Sequence, residues 1–201
     1  MATKPKMAEY EEFEAGSRQA WRDWLAANHD TSPGVWLVSY KKASGKEGVS
    51  YVPAVEEALC WGWIDSRPNK LDAERYRQLF TPRRPNSQWS AVNKRRVAAL
   101  IADGRMAPPG LAKIEAAKAD GSWNAYDAVE ALTVPDDLAA AFAADEAAEA
   151  GFAAFSASAK KQLLWHLQTA KRPETRAKRI AQIVDGARAG RNPLGWRREN
   201  A

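Results

Sequence analysis

The chain has 201 residues, of which 45% are hydrophobic, enough to bury a core in one domain or in two small ones. Thirty Lys and Arg against 25 Asp and Glu leave a net charge of +5, a bias toward anionic ligands that falls well short of a nucleic-acid coat. The single cysteine excludes an internal disulfide and a Cys-rich metal site, and no run approaches the roughly 18 apolar residues of a membrane span.

The opening MATKPKMAEYEEFEAGS has no apolar stretch of the kind a signal peptide carries, so a cytoplasmic location is expected. Residues 1–14 are expected to be loose, with Tyr10 and Phe13 able to pin a short extended piece. Ser17 can cap a helix that carries Trp21, Trp24 and Leu25 on one side and ends near Asn28. Val35 to Tyr40 is rich in β-branched and aromatic residues and is bounded by Gly34 and Ser44-Gly45, which predicts a strand with Lys41 and Lys42 at its exit.

Ser50 and Pro53 open another helix with Val55, Ala58 and Leu59 on its apolar side and Gly62 as its stop. Cys60 lies in the last turn, where the helix dipole disfavours a thiolate, so it reads as buried and inert. Glu56 and Glu57 are expected on the exposed side. Trp63 to Ser66 reads as a second strand, Arg67-Pro68-Asn69-Lys70 as a turn, and Arg75 to Thr81 as a third strand, giving a three-stranded antiparallel sheet. The two prolines of Pro82-Arg83-Arg84-Pro85 force an extended link. Ser87 is read as the cap of a helix running to about Asp103, and Pro108-Pro109 as the opening of one that Gly121 closes.

From Ala128 onward the sequence is alanine-rich and without strand pattern, which predicts helices over 136–144, 147–155, 159–169 and 174–189. The expected fold class is α+β: a small antiparallel sheet with packed helices over 15–127, then an all-helical subdomain over 128–190 and a frayed tail over 191–201.

The strings GVWLVSYKK (34–42), AVEEALCWGWIDS (54–66), FTPRRPNSQWSAVN (80–93), GRMAPPGL (104–111) and AKRPETRAKRI (170–180), in this order, resemble the bacterial YdeI/OmpD-associated, bacteriocin-protection-like family from Phe13 to Gly190. The departures are local: Ser66 stands where glycine is commoner after Trp-Ile-Asp, and the ending GRNPLGWRREN is unlike the short ending of the family. The resemblance implies an association with envelope stress and bacteriocin protection and carries no reaction with it.

If the second and third strands pair, Asp65, Ser66, Arg83, Arg84, Trp89, Ser90 and Asn93 gather at one rim of the sheet, with Lys41 arriving from the neighbouring strand and Trp63 or Trp89 as a stacking face. A helix start offers free N–H groups and Arg a planar fork, so a small anionic or nucleotide-like ligand would suit this hollow. The competing structural reading has Asp65 pairing with Arg83 or Arg84 to lock sheet to helix while the tryptophans fill core. An enzyme using Asp65 as acid or base on an anionic substrate is the second functional reading. The third is a nucleic-acid-binding or partner-docking module using residues 67–105 and the late basic run, with weak, phosphate-borne contacts; a solvated face in which Glu174 offsets Arg176 and Arg179 is the plainer account of that run. His29 and His166 lie far from Ser66 and Ser90, so no Ser-His-acid triad is expected. No metal site, phosphate-binding glycine loop or cofactor is expected either.

Overall fold

A computed structural model describes residues 10–195. The expectations for residues 1–9 and 196–201 lie outside them. The chain divides between Ala125 and Tyr126 into two compact units, and the fold class is α+β.

In the first unit, strand β1 (Glu11–Glu14) precedes helix α1 (Arg18–Asn28), and strand β2 (Val35–Tyr40) precedes helix α2 (Tyr51–Cys60). Strands β3 (Trp63–Lys70) and β4 (Arg75–Pro82) form a hairpin, followed by helices α3 (Ala91–Ala102) and α4 (Pro108–Ala119). The sheet order is β1-β2-β4-β3, antiparallel except for the β1–β2 pair, which is parallel. The expected three-stranded antiparallel sheet is therefore corrected to a four-stranded mixed one. The pinned piece at the N-terminus is its extra strand. Tyr10 packs with Trp36 and Leu79 on one face, and Phe13 stacks 5.7 Å from Trp24 on the other, so aromatic anchors on both sides offset a run of four residues that is three-quarters glutamate.

The segment Arg67–Lys70 is strand rather than turn. β3 is an edge strand, and its pairing shifts between Asp65 and Pro68 by a bulge, two places where a proline costs no ladder hydrogen bond. The turn falls one step later, where the Asp72 carboxylate accepts from the Glu74 and Arg75 amides at 2.8 and 2.7 Å. Likewise α3 starts later than Ser87 suggests. Ser90 is its cap, accepting from the Asn93 amide at 3.3 Å, while Asn86 with φ 56 turns the chain ahead of it.

Helices cover one face of the sheet, enclosing Trp21, Leu25, Leu37, Leu59, Trp63, Phe80, Trp89 and Ile114. Each such side chain contributes about 1.5–3 kcal/mol by leaving water. The Trp21 indole donates to the Ala54 carbonyl at 3.0 Å, tying α1 to α2 without an orphaned donor.

Glu57 corrects the expected exposed side of α2. It is fully buried, because it shares the helix face of Ala54 and Ala58. Arg18, Arg22 and Arg105 all reach its carboxylate, and Arg22 also donates to the Arg105 carbonyl at 3.0 Å. Burial alone would raise the Glu57 pKa, but the hydrogen bonds from Arg18 and Arg22 and the nearby Arg105 charge outweigh it and leave the pKa lowered.

Cys60 is fully buried, and burial, with the Glu57 charge behind it, raises its thiol pKa. The native protein is expected to resist a thiol reagent at neutral pH and to react once denatured. Rapid labelling of the folded chain would contradict this.

In the second unit, a one-turn helix α5 (Asp127–Glu130) leads into α6 (Asp136–Ala143), α7 (Glu146–Ala154), α8 (Ala157–Gln168) and α9 (Pro173–Arg188). No strand occurs there among the described residues. Leu138, Phe142, Phe152, Leu163, Leu164, Leu167 and Ile183 form its core. Helices α7 and α9 cross where Gly151 lies against the Ala187 carbonyl with no room for a Cβ. The pair of Arg188 with Asp145 joins α9 to the start of α7, and that of Arg176 with Asp137 joins α9 to α6. Arg176 thus takes Asp137 as its partner rather than Glu174, and Arg179 donates to the His166 carbonyl and to Thr169.

Candidate functional site: a buried arginine beside a small cavity

Arg83 follows the last residue of β4, and its amide donates to the Gly62 carbonyl at 2.9 Å, extending the sheet edge by one bond. Pro82 and Pro85 hold the link extended, so the Arg83 side chain turns inward and the Arg84 side chain outward. The Arg83 guanidinium lies over Trp89, its central carbon 3.7 Å from the ring centroid. It donates through Nη1 to the Gln88 carbonyl at 2.9 Å and to Ser87 Oγ at 3.3 Å.

Only 4% of Arg83 is exposed, and no carboxylate among the described residues forms an ion pair with it. Burial lowers its pKa to about 10, against the opposing field of Asp65, so the group remains a cation at neutral pH. Its Nε is buried without an acceptor, as is Trp89 Nε1.

Arg83 and Trp89 line one cavity of about 60 Å³, together with Arg84, Lys113, Asp120 and Ser122. The Asp120 carboxylate is held below the usual carboxylate range by the Ser122 hydroxyl first, then by the Ser122 amide donating at 2.8 Å and the Asn86 amide at 3.3 Å. A buried donor left unmet costs about 1–3 kcal/mol. Two buried N–H donors beside a small cavity therefore call for an acceptor, supplied by water or by an anion.

Asp65 sits apart from that cavity. Its Oδ2 accepts from Gln78 Nε2 at 2.7 Å and from the Tyr51 hydroxyl at 3.2 Å. Burial raises its pKa, opposed by the Tyr51 hydrogen bond and by the charges of Arg96 and Arg83. No ion pair joins Asp65 to Arg83 or Arg84, so the structural lock weighed from the sequence is replaced by hydrogen bonds from Gln78 of the sheet and Tyr51 of α2.

The remaining sequence candidates are distributed as follows. Lys41 donates to the Asp72 and Ala73 carbonyls at 2.7 and 2.8 Å, closing the β3–β4 turn. Trp63 is 1% exposed with its indole N–H on the His29 carbonyl at 3.1 Å, which leaves no face for stacking. Ser66 lies at the bulge, where its carbonyl accepts from Gln78 at 2.7 Å. Ser90 caps α3, and Asn93 Oδ1 accepts from Arg96 at 3.0 Å. The structure thus joins Arg83, Arg84 and Trp89 at one cavity and separates them from Asp65, Lys41, Ser90 and Asn93.

Sequence reasoning missed Lys113 and Ser122, which come from α4 and the loop after it and give no local signal. It missed Gln78 and Tyr51 as well. Gln78 could have been found, since it alternates with Phe80 on the buried face of β4 and is a polar residue in an apolar phase. Among the described residues no three of His, Cys, Asp and Glu cluster as metal ligands.

The chain is thus an α+β unit with a cationic cavity, followed by a helical unit. Residues 13–113, half of the chain, match a domain of unknown function (DUF8412), and the chain belongs to that family. Residues 131–190, within the helical unit, match the bacteriocin-protection, YdeI or OmpD-associated family, in agreement with the resemblance carried by the sequence strings. No curated protein and no solved structure matches the chain.

Proposed function

We propose that this is a stress-linked cytoplasmic protein that binds a small anionic group, a carboxylate or phosphate, in the Arg83 cavity. The observation that carries the reading is a guanidinium more than nine-tenths buried without a counter-carboxylate, its Nε lacking an acceptor, beside a cavity with Arg84 and Lys113 on its wall. The bacteriocin-protection description of the C-terminal family supports the stress link, and the lone buried thiol of Cys60 fits a reducing compartment.

Thermal-shift titration with inorganic phosphate, acetate and larger phosphate esters tests the reading. A ligand at about 100 times its Kd should stabilise the folded chain by about 2.7 kcal/mol. The double variant Arg84→Ala/Lys113→Ala should weaken that response with little effect on the free protein, since Arg84 is exposed, and Arg83→Met should abolish it. A full response in folded Arg83→Met would refute the proposal.

A second reading, an enzyme with Asp65 as acid or base, draws on the raised carboxyl pKa and on a cleft lined by its hydrogen-bond donors Tyr51 and Gln78. Turnover of a bound compound, lost in Asp65→Asn, would select it. The nucleic-acid reading is weakened by the internal engagement of Arg176 and Arg179.

A further inference from the structure

The wall of the Arg83 cavity carries charges of both signs that do not pair. Arg83 and Asp120 both line it, and no ion pair joins them to each other or to any other side chain among the described residues. Their hydrogen bonds are to neutral groups: Arg83 donates to the Gln88 carbonyl and Ser87 Oγ, and Asp120 accepts from the Asn86 and Ser122 amides. A buried cation and a fixed anion that share a cavity without meeting leave two complementary positions open.

Asp120 is held where it stands. Its Oδ1 takes the Ser122 amide and its Oδ2 the Asn86 amide, and both of those residues line the cavity too. These bonds keep the carboxylate ionised at neutral pH. A carboxylate has about four lone-pair sites, so capacity remains for a ligand donor. Asp120 is also the cap at the C-terminal end of α4, whose last turn brings Ala116 and Ala117 to the same wall. The partial negative charge of a helix C-terminus favours a cation there, as the carboxylate does.

Size narrows the occupant. A water needs about 10–15 Å³ of such space, so a cavity of about 60 Å³ takes a group of about four to six heavy atoms. Arg84 and Lys113 leave the wall positive on balance, which draws an anion in. A phosphate dianion would bring two negative charges beside Asp120. A bare carboxylate would satisfy the Arg83 Nε and Trp89 Nε1 donors and leave Asp120 without a counter-charge. A small zwitterion meets both.

We propose, building on the anion-site reading above, that the ligand of the Arg83 cavity is a free α-amino acid of the size of glycine or alanine. Its carboxylate accepts from Arg83 Nε and Trp89 Nε1, the two buried donors without a partner, and its ammonium donates to Asp120. Arg83 supplies affinity for any small carboxylate, and Asp120 supplies the preference for one that carries an amine.

Calorimetric titration of the full chain with glycine, acetate, glycinamide, leucine and inorganic phosphate tests this. Glycine should bind tighter than acetate by about tenfold or more, the worth of one hydrogen bond between charged groups. Glycinamide, which lacks the carboxylate, should not bind, and leucine should bind more weakly than glycine. Asp120→Asn, at an exposed position, removes the charge and should bring glycine to the level of acetate while leaving acetate unchanged. Glycine no tighter than acetate, leucine as tight as glycine, binding of glycinamide, or a glycine preference that survives Asp120→Asn would overturn this inference. So would loss of acetate together with glycine in that variant, which would make Asp120 a structural residue. In each of these cases acetate or phosphate binding to the wild type that disappears in Arg83→Met leaves the anion site standing. Failure of glycine, acetate and phosphate alike to bind the wild type would overturn both.

Discussion

Glu57→Ala is expected to lower the stability of the first unit by about 3 kcal/mol, the lower part of the 3–5 kcal/mol range for breaking a buried ion pair. The carboxylate is fully buried and gathers Arg18 and Arg22 from α1 and Arg105 from the loop between α3 and α4. Removing it leaves three cations around an apolar hole. Each arginine side chain is 29–35% exposed and can turn toward water, which moderates the loss. Urea midpoints of Glu57→Ala and Glu57→Gln measure it, and the glutamine variant keeps the volume while deleting the charge.

The same residue sets a pH dependence. Its folded pKa lies below the usual glutamate value of about 4.3. Stability from the ionised form is therefore fully present above the unfolded pKa and is lost as pH falls through the folded one. Acid unfolding of the wild type should show this loss, and Glu57→Gln should lack that component. Identical acid profiles would rule out the carboxylate as the source.

Gly151→Ala is expected to disrupt the second unit at a cost of about 3 kcal/mol, the upper end for overpacking. The added Cβ meets the backbone carbonyl of Ala187, with the Ala187 carbonyl carbon 2.7 Å away, so no rotamer change relieves it. Helices α7 and α9 would have to separate, opening Phe152 and Ile183 to water. Differential scanning calorimetry of Gly151→Ala beside Gly16→Ala, a position with no atom within 4 Å of the added Cβ, isolates the steric effect. Equal melting of the two variants would contradict the close crossing.

Helix positions were legible in the sequence wherever punctuation was local. Ser17, Ser50, Gly62, Pro108 and Pro173 mark element ends within a residue or two of where they fall. The parallel pairing of β1 was not legible, because Glu11–Glu14 has no strand composition and is stabilised by aromatic contacts with residues distant in the chain. Pro68 misled for a related reason, since a proline signals a turn unless the strand lies at an edge or bulges, which only the assembled sheet reveals. At the candidate site, the Pro-Arg-Arg-Pro link could be read as a feature but not which arginine it buries. That choice depends on Trp89 arriving beneath Arg83. Glu57 shows how phase on a helix outweighs residue type: at a core position its charge is retained by importing three cations.

The bulge in β3 acts as a parity counter. From Asp65 to Pro68 the strand advances three residues while β4 advances two, from Phe80 to Gln78. Without that extra residue, Asp65 and Lys70 would fall on opposite faces, as positions five apart do in a regular strand. With it, both lie on the same face of the sheet. A chain of this family one residue shorter at Ser66 or Arg67 would keep the buried rows of Trp63 and Phe80 and most of its core. It would still present a different set of side chains beyond α2, so length at this point, rather than residue identity, determines what the open end of the sheet offers to solution.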